Sequence, residues 1–574
     1  MENIKYIILI FTLAICSVSC DEDLDEVPKD FLSPSNSFVS KENFLAALGD
    51  IYRANRLEIY TPNDSRENHL MMGFDVDLAW VENKAPNVYL EVFNWNTFTP
   101  DSKFASRWWK TCYGQIFRAN TIIDRAESSS IKWESDEEKN AIVGEAKFLR
   151  AYYYRLLANM YGGVPLVLEE TQGAKFDYTR ETREAIYLQC KEDLTFAIQW
   201  MPTVGPDHPS GRAPRAAAYH ILSEVNIQLK DYTGAIAAAS SVINDPNYKL
   251  MTERFGPYKD FQWNGYDGIG PFEPWGDVYF DLFRDGSMNR EEGNMEMIWN
   301  IQLEYGVEAG TAGSNDSQGR FGLERWWGGA AYINVRDING DKTRLKDTLG
   351  GRPTGNGGAT DYMNNQVWNF KGDFDRDIRN SKYNVQRTYY WNNPAQEFFG
   401  QPLSAATVED PAILLSGNRT TPSYKKAVTT VHKGVGNVGG QNTDWGRIFK
   451  DWYLIRLAET YLLRAEAYHL NGDNTSAAND INEVRSRANA TPVTGGEVDL
   501  DLILDERARE LYMEEYRVST LTRMGKLAEY LRKYNSAVLA NGYVLDDKLN
   551  LMPIPNSEIE ANSDAVLEQN PGYN

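Results

Sequence analysis

The chain has 574 residues, 81 of them acidic and 59 basic, for a formal net charge of −22. Its hydrophobic content of 42% and charged content of 24% are those of a globular chain and exclude a disordered or fibrous one. The acid excess excludes a nucleic-acid binder and a basic attraction to anionic lipid, both of which need a Lys/Arg surface. What calls for explanation is the 12% aromatic content, with 15 Trp and 33 Tyr.

Residues 6–18 are an almost continuous apolar run, too short to span a bilayer and placed where the hydrophobic part of a secretory signal belongs. The run ends in Ser17-Val18-Ser19-Cys20 and turns abruptly acidic over residues 21–26. Small residues before a Cys resemble a bacterial lipobox, with Cys20 lipidated as the first mature residue, although Ser17 departs from the usual aliphatic residue. Residues 1–19 are therefore expected to be a signal peptide and 20–40 a lipidated acidic tether, anchored durably if several acyl chains sit on one Cys. Of the remaining cysteines, Cys112 and Cys190 lie in helical patterns and read as buried free thiols. No metal-ligand spacing of Cys or His is present.

Apolar residues recur at i, i+3 and i+4 over residues 41–58, 103–128, 135–161 and 182–200, which predicts helices there. Ser135 opens a Ser-Asp-Glu-Glu capping box with Glu138. Two later segments read as helical hairpins of one plan. Ala218, Leu222, Val225 and Leu229 lead to a break at Lys230-Asp231-Tyr232, then Ala235, Ala239 and Val242. Leu457, Tyr461, Ala465 and Tyr468 lead to Asn471-Gly472-Asp473, then Ala478, Ile481 and Val484. Small Ala at the contact, large neighbours and a short polar turn are tetratricopeptide-like.

Between 249 and 449 the helical period stops, and this third holds most of the 44 glycines and more than half of the tryptophans. Glycine clusters there indicate loops, and runs such as residues 297–302 indicate short strands. The fold expected is mainly α: a tetratricopeptide-like hairpin scaffold over 41–248 and 450–530, a loop-rich aromatic insertion over 249–449, and a C-terminal packing segment over 531–574. Loops on a rigid scaffold are where binding residues sit.

Tests for catalytic chemistry fail. Gly434-x-Gly436-x-x-Gly439 opens no apolar helix, so it lacks the dipole that cradles a phosphate. Asp373-x-Asp375-x-Asp377 has Ile378 where a calcium loop needs glycine. Carboxylate pairs such as Asp75 with Asp77, or Asp281 with Asp285, could serve a glycosidase, but an acidic chain supplies many such pairs by coincidence. The positive signal is aromatic. Trp and Tyr faces pack against the C–H groups of sugars, and Trp80, Trp95-Asn96 and Trp326-Trp327 lie in polar or Gly-rich contexts that suit such a surface. Trp108, Trp109, Trp299 and Trp452 sit in helical or strand patterns and are expected in the core.

Several blocks, in order along nearly the whole chain, resemble the SusD/RagB outer-membrane lipoproteins of the Bacteroidota. They are Glu145-Ala-Lys-Phe-Leu-Arg-Ala-Tyr152 with Tyr161-Gly-Gly-Val-Pro-Leu166; Tyr453-Leu-Ile-Arg-Leu-Ala-Glu459 with Ala465-Glu-Ala467 and Ile481-Asn-Glu-Val-Arg-Ser-Arg-Ala488; Asp505-Glu-Arg507, Glu510-Leu511, Arg517 and Arg523; and Met552-Pro-Ile-Pro555 to Asn562 and Gln569-Asn-Pro-Gly-Tyr573. Glu514-Glu515-Tyr516-Arg517 departs from the family's usual Glu-Gly before that Arg.

The resemblance implies a non-catalytic cell-surface lipoprotein that closes over a SusC-like TonB-dependent transporter; from the motif checks above, no cofactor or metal is expected. It also implies capture of oligosaccharides or, in the RagB branch, peptides; a surface glycoside hydrolase is the remaining alternative. The blocks themselves are expected to be structural. By position in the family, the ligand site points to the segment 75–96 and to the insertion. Stacking is expected from Trp80, Trp95 and Trp326 or Trp327, and hydroxyl recognition from Asp75, Asp77 and Asn96.

Overall fold

The computed structural model describes residues 37–56, 66–81, 93–128, 131–205, 208–265, 271–303, 328, 335–343, 357–414, 423–424 and 450–573. The expected signal peptide, Cys20, most of the tether, Trp326-Trp327 and the glycine cluster at 434–440 lie outside the described residues.

The fold is mainly α. Helix α1 (Lys41–Ala54) buries Phe44, Leu48 and Ile51 at helical spacing, on α2 (Lys103–Ala126) and α3 (Asp136–Tyr161). At the start of α3 the Ser135 hydroxyl accepts the Glu138 N–H at 3.2 Å. The Glu138 carboxylate reaches back to the Glu134 N–H at 2.9 Å, one residue beyond the reciprocal partner of a capping box. Helices α4 (Arg183–Trp200), α5 (Arg215–Gln228) and α6 (Tyr232–Ile243) continue the stack, each packed on the one before.

Two short strand pairs tie the middle of the chain to this stack. Strand β1 (Ala79–Val81) pairs antiparallel with β3 (Gly357–Ala359). Strand β2 (Met297–Ile301) pairs antiparallel with β4 (Trp452–Arg456), with Trp299 opposite Ile455. The chain leaves at Leu303 and returns at Asp451, and the Leu303 N–H donates to the Asp451 carboxylate at 2.8 Å. Helix α7 (Leu457–Leu470) then packs directly on α6, so the stack continues across the long excursion. Helices α8 (Asn474–Arg487), α9 (Leu500–Leu511), α10 (Arg517–Arg523) and α11 (Leu527–Tyr534) complete it.

The two hairpins share one turn chemistry. Lys230 (φ 61°) and Gly472 (φ 84°) take the left-handed position. Asp231 and Asp473 then cap the next helix, accepting the N–H groups of Gly234 at 2.9 Å and Ser476 at 3.0 Å. Ala235, Ala239, Ala465 and Ala478 are all buried at the contacts, as expected. Trp108, Trp109, Trp299 and Trp452 are core, and Cys112 and Cys190 are buried free thiols.

The blocks that carried the resemblance are structural. A Cβ at Gly163 would stand 2.2 Å from the Glu181 carbonyl oxygen, and Gly162 sits at φ +75°, so the exit from α3 requires two glycines. The C-terminal signature ties back to this exit: the Met552 N–H donates to the Met160 carbonyl at 2.7 Å, and the Asn570 amide to the Tyr161 carbonyl at 2.9 Å. Among the described residues no helix is long and apolar enough to cross a membrane.

Candidate functional site

The expected ligand segment divides between core and surface. Asp77 is fully buried; its Oδ2 accepts from Arg517 Nε at 2.9 Å and Nη2 at 2.7 Å. Burial pushes this carboxyl up from its ordinary value, against the pull of Arg517. Asp75, also buried, holds the unusual φ of 49°, and its carboxylate accepts the Phe93 N–H at 3.0 Å. The Asp75 carbonyl takes the Trp95 indole N–H at 2.5 Å and the Asn535 amide at 2.7 Å. Trp95 is 3% exposed, with ring centroids 4.8 Å from Phe93 and 5.5 Å from Phe98.

These placements correct the sequence reading. Asp75, Asp77 and Trp95 were expected to meet a ligand, but they close the core under the loop. The reason is long-range: the partners of Asp75 and Asp77, Asn535 and Arg517, lie more than 400 positions away in sequence. Trp80 and Asn96 remain accessible. Trp80 is half-buried in β1 opposite Gly358, where β3 is close enough that a Cβ at Gly357 would stand 2.5 Å from the Trp80 carbonyl. Asn96 is exposed beyond the Asn94 cap, which accepts its N–H at 3.0 Å.

Five of the carboxylates weighed for catalysis or metal are engaged elsewhere. Asp281 is fully buried on Arg254 and the Phe255 N–H. Asp373 pairs with Arg485 at 2.6 Å and Asp377 with Arg379 at 2.6 Å. Asp75 and Asp77 are the buried groups described above.

Sequence reasoning did not find a buried web of charge between the excursion and the scaffold. Arg379 bridges Asp377, Glu506 at 2.7 Å and Glu510 at 3.0 Å. Arg456 holds Glu514 at 2.9 Å, Glu510 at 2.6 Å and Glu296. Arg487 holds Glu296 at 2.9 Å and Glu510. Burial alone would raise the Glu506 carboxyl, but Arg379, Arg509 and Arg485 outweigh it and hold the group below the ordinary carboxylate range. Such pairs specify an arrangement, because removing one partner strands the other in low dielectric. The sequence signal was there, as the Asp505-Glu-Arg507 and Glu510 block, but its partners at 296 and 377–379 have no local pattern.

The structure also shows two sizeable cavities outside the expected segment. One, of about 530 Å³, lies between α2, residues 165–178 and the C-terminal segment, lined by Trp109, Tyr113, Phe117 and Tyr178. The other, of about 490 Å³, lies between α1, residues 210–212 and the end of β2.

Comparison with known proteins supplies the context for these features. One family model, described as the SusD family, matches residues 296–573; another, described as starch-binding associating with outer membrane, matches residues 24–227. The SusD-like protein P25 of Formosa agariphila is 24% identical, over 99% of both chains. The starch-binding protein SusD of Bacteroides thetaiotaomicron is 42% identical over 21% of each chain. The solved surface glycan-binding protein A of Bacteroides thetaiotaomicron, in complex with laminarihexaose, superposes with a TM-score of 0.61 at 18% identity, covering 92% of this chain and 99% of that one. Matches of both ends to family models, a full-length relative and a shared fold lead to one conclusion: the chain is a SusD-like member of the SusD/RagB family.

Proposed function

We propose that this protein is a non-catalytic, lipid-anchored protein of the outer-membrane surface that captures oligosaccharides and delivers them to a SusC-like TonB-dependent transporter. The observation that carries this reading is the match of residues 24–227 to the starch-binding family model, together with likeness to proteins named for starch and laminarihexaose. The burial of Asp75, Asp77 and Asp281, the last two paired with Arg517 and Arg254, favours binding over hydrolysis, since a glycosidase needs two accessible carboxyls facing one bond. The accessible members of the expected segment, Trp80 and Asn96, are the residues we assign to ligand contact, with Trp326 and Trp327 as further stacking rings. Cys20 is the proposed anchor.

The test is a binding screen of the soluble chain from residue 21 onward against neutral and acidic oligosaccharides and a peptide pool, with reducing ends monitored. Glycan binding without cleavage, weakened by Trp80→Ala, is expected. Binding of peptides alone would move the protein to peptide capture, and release of reducing ends would make it an enzyme. In the full-length chain, Cys20→Ala should move the protein out of the membrane fraction.

A further inference from the structure

The cavity of about 490 Å³ beside α1 has chemistry the expected ligand segment lacks. Two small residues, Ala46 and Gly49, open its α1 wall, and a Cβ placed on Gly49 would meet no heavy atom within 4 Å. A glycine inside a helix costs roughly 0.5–1 kcal/mol relative to alanine, so this one leaves space at the expense of the helix. Four residues on, Arg53 faces the same space and is more than half exposed. Its carboxylate neighbour Asp50 stands 3.7 Å away and is already held by Arg118 at 2.9 Å.

Two further guanidiniums border the cavity. Arg56, just past the end of α1, donates to the Gln302 carbonyl at 3.3 Å. Burial and the nearby charge of Arg53 together lower its pKa, which records the closeness of two like charges. Arg212 is fixed in place by Glu145, whose carboxylate also accepts the Tyr52 hydroxyl at 2.6 Å. The floor is the Trp299 indole, its N–H on the Gly211 carbonyl at 3.0 Å. Gly211 is at φ +83°, with Gln302 2.8 Å from where a Cβ would be. At the rim, Glu291 accepts the Ser210 hydroxyl at 2.6 Å. Arg53 and Arg56 thus face one space, beside an Arg212 already paired with Glu145 and an Asp50 held chiefly by Arg118, in a chain whose net charge is −22.

Guanidinium forks match planar or tetrahedral oxyanions, and an oxyanion is what such a site stabilises. The volume falls in the range of small-molecule sites and exceeds what a bare anion fills, so the anion is carried by something of sugar size. We infer that this cavity is a subsite for the carboxylate or sulfate group of an acidic oligosaccharide, held by Arg53 and Arg56 with Gly49 leaving room for the ring. The inference rests on the glycan-capture reading and names the ligand class within it.

The experiment measures calorimetric binding of trigalacturonate, a sulfated galactan oligosaccharide, laminarihexaose and a glutamate-rich peptide to the soluble chain, to Arg53→Gln and to Gly49→Leu. Expected are tighter binding of an acidic glycan than of laminarihexaose, weakening with added salt, and a loss of about tenfold or more for Arg53→Gln, the scale of one charged hydrogen bond. Gly49→Leu should also block the acidic glycan, while laminarihexaose binding and the melting temperature stay unchanged in Arg53→Gln. The trigalacturonate and sulfated-galactan arms tell carboxylate from sulfate. Equal binding of acidic and neutral glycans, insensitivity to both variants, or capture of the peptide instead would overturn the inference. Failure of every glycan to bind would refute the capture reading itself, so the two failures are distinct.

Discussion

Replacing Trp95 by Ala separates a core tryptophan from a ligand-facing one. The indole is 3% exposed, lies 4.8 Å from the Phe93 ring, 5.5 Å from Phe98 and 6.4 Å from Phe104, and donates to the Asp75 carbonyl. Truncation removes the largest ring of this cluster, and a core Trp→Ala change costs about 3–5 kcal/mol through lost transfer energy and the cavity left behind. The hydrogen bond is a minor part, because Asn535 still donates to the same carbonyl. Trp95→Phe, which keeps a ring but loses the N–H, should therefore cost about 1–2 kcal/mol, nearer the range of one net hydrogen bond plus partial packing loss. Calorimetric unfolding of the soluble chain measures both variants, with glycan affinity measured in parallel on protein that remains folded. If Trp95→Ala left stability within about 0.5 kcal/mol, as surface changes do, and abolished glycan binding, the burial argument would be refuted and the ring would be a ligand platform.

Two more outcomes follow from buried charge. Arg517→Met should destabilise by about 3–5 kcal/mol because it strands the buried Asp77, and adding Asp77→Leu should recover part of that loss; strictly additive losses would mean the pair is not coupled. His220 is buried on the Thr460 hydroxyl at 2.8 Å, and burial pushes its imidazole down from 6.5 to about 3. The folded state thus binds fewer protons than the unfolded state across that window, so its contribution is complete above pH 6.5 and is lost as pH falls toward 3. Between pH 6.5 and 4 the wild type should lose roughly 3 kcal/mol more than His220→Gln, and equal pH slopes for the two would contradict the assignment.

The scaffold was readable in the sequence because its signals are local. Helical spacing placed α1 to α8, and the Asp231 and Asp473 caps mark the turns at which two hairpins repeat. Residues 297–302 read as a strand for the same reason, although nothing local names their partner, residues 452–456, which sits some 150 positions on. The ligand segment was less readable. Polar neighbours made Trp95 look like a surface ring, whereas its environment is set by Phe104, Asp75 and Asn535 meeting in space. Asp77 looked like a hydroxyl acceptor because nothing near it in the chain announces Arg517. The α1 cavity was invisible for a related reason: Gly49 and Arg53 are ordinary letters in a helix until Arg56, Arg212 and Trp299 are brought around them.

The hydrogen bond between Leu303 and Asp451 makes the exit and re-entry of the long excursion immediate neighbours. From the scaffold's side the excursion therefore has no length. The entropy of closing a loop grows only with the logarithm of its residues, so stretches that make no buried contact with the scaffold can be gained or lost between those points at a cost of fractions of a kcal/mol. The helices before and after it, α6 and α7, pack directly on each other. A lineage carrying this architecture can thus exchange the surface it presents to the outside while inheriting the same folding problem, already solved.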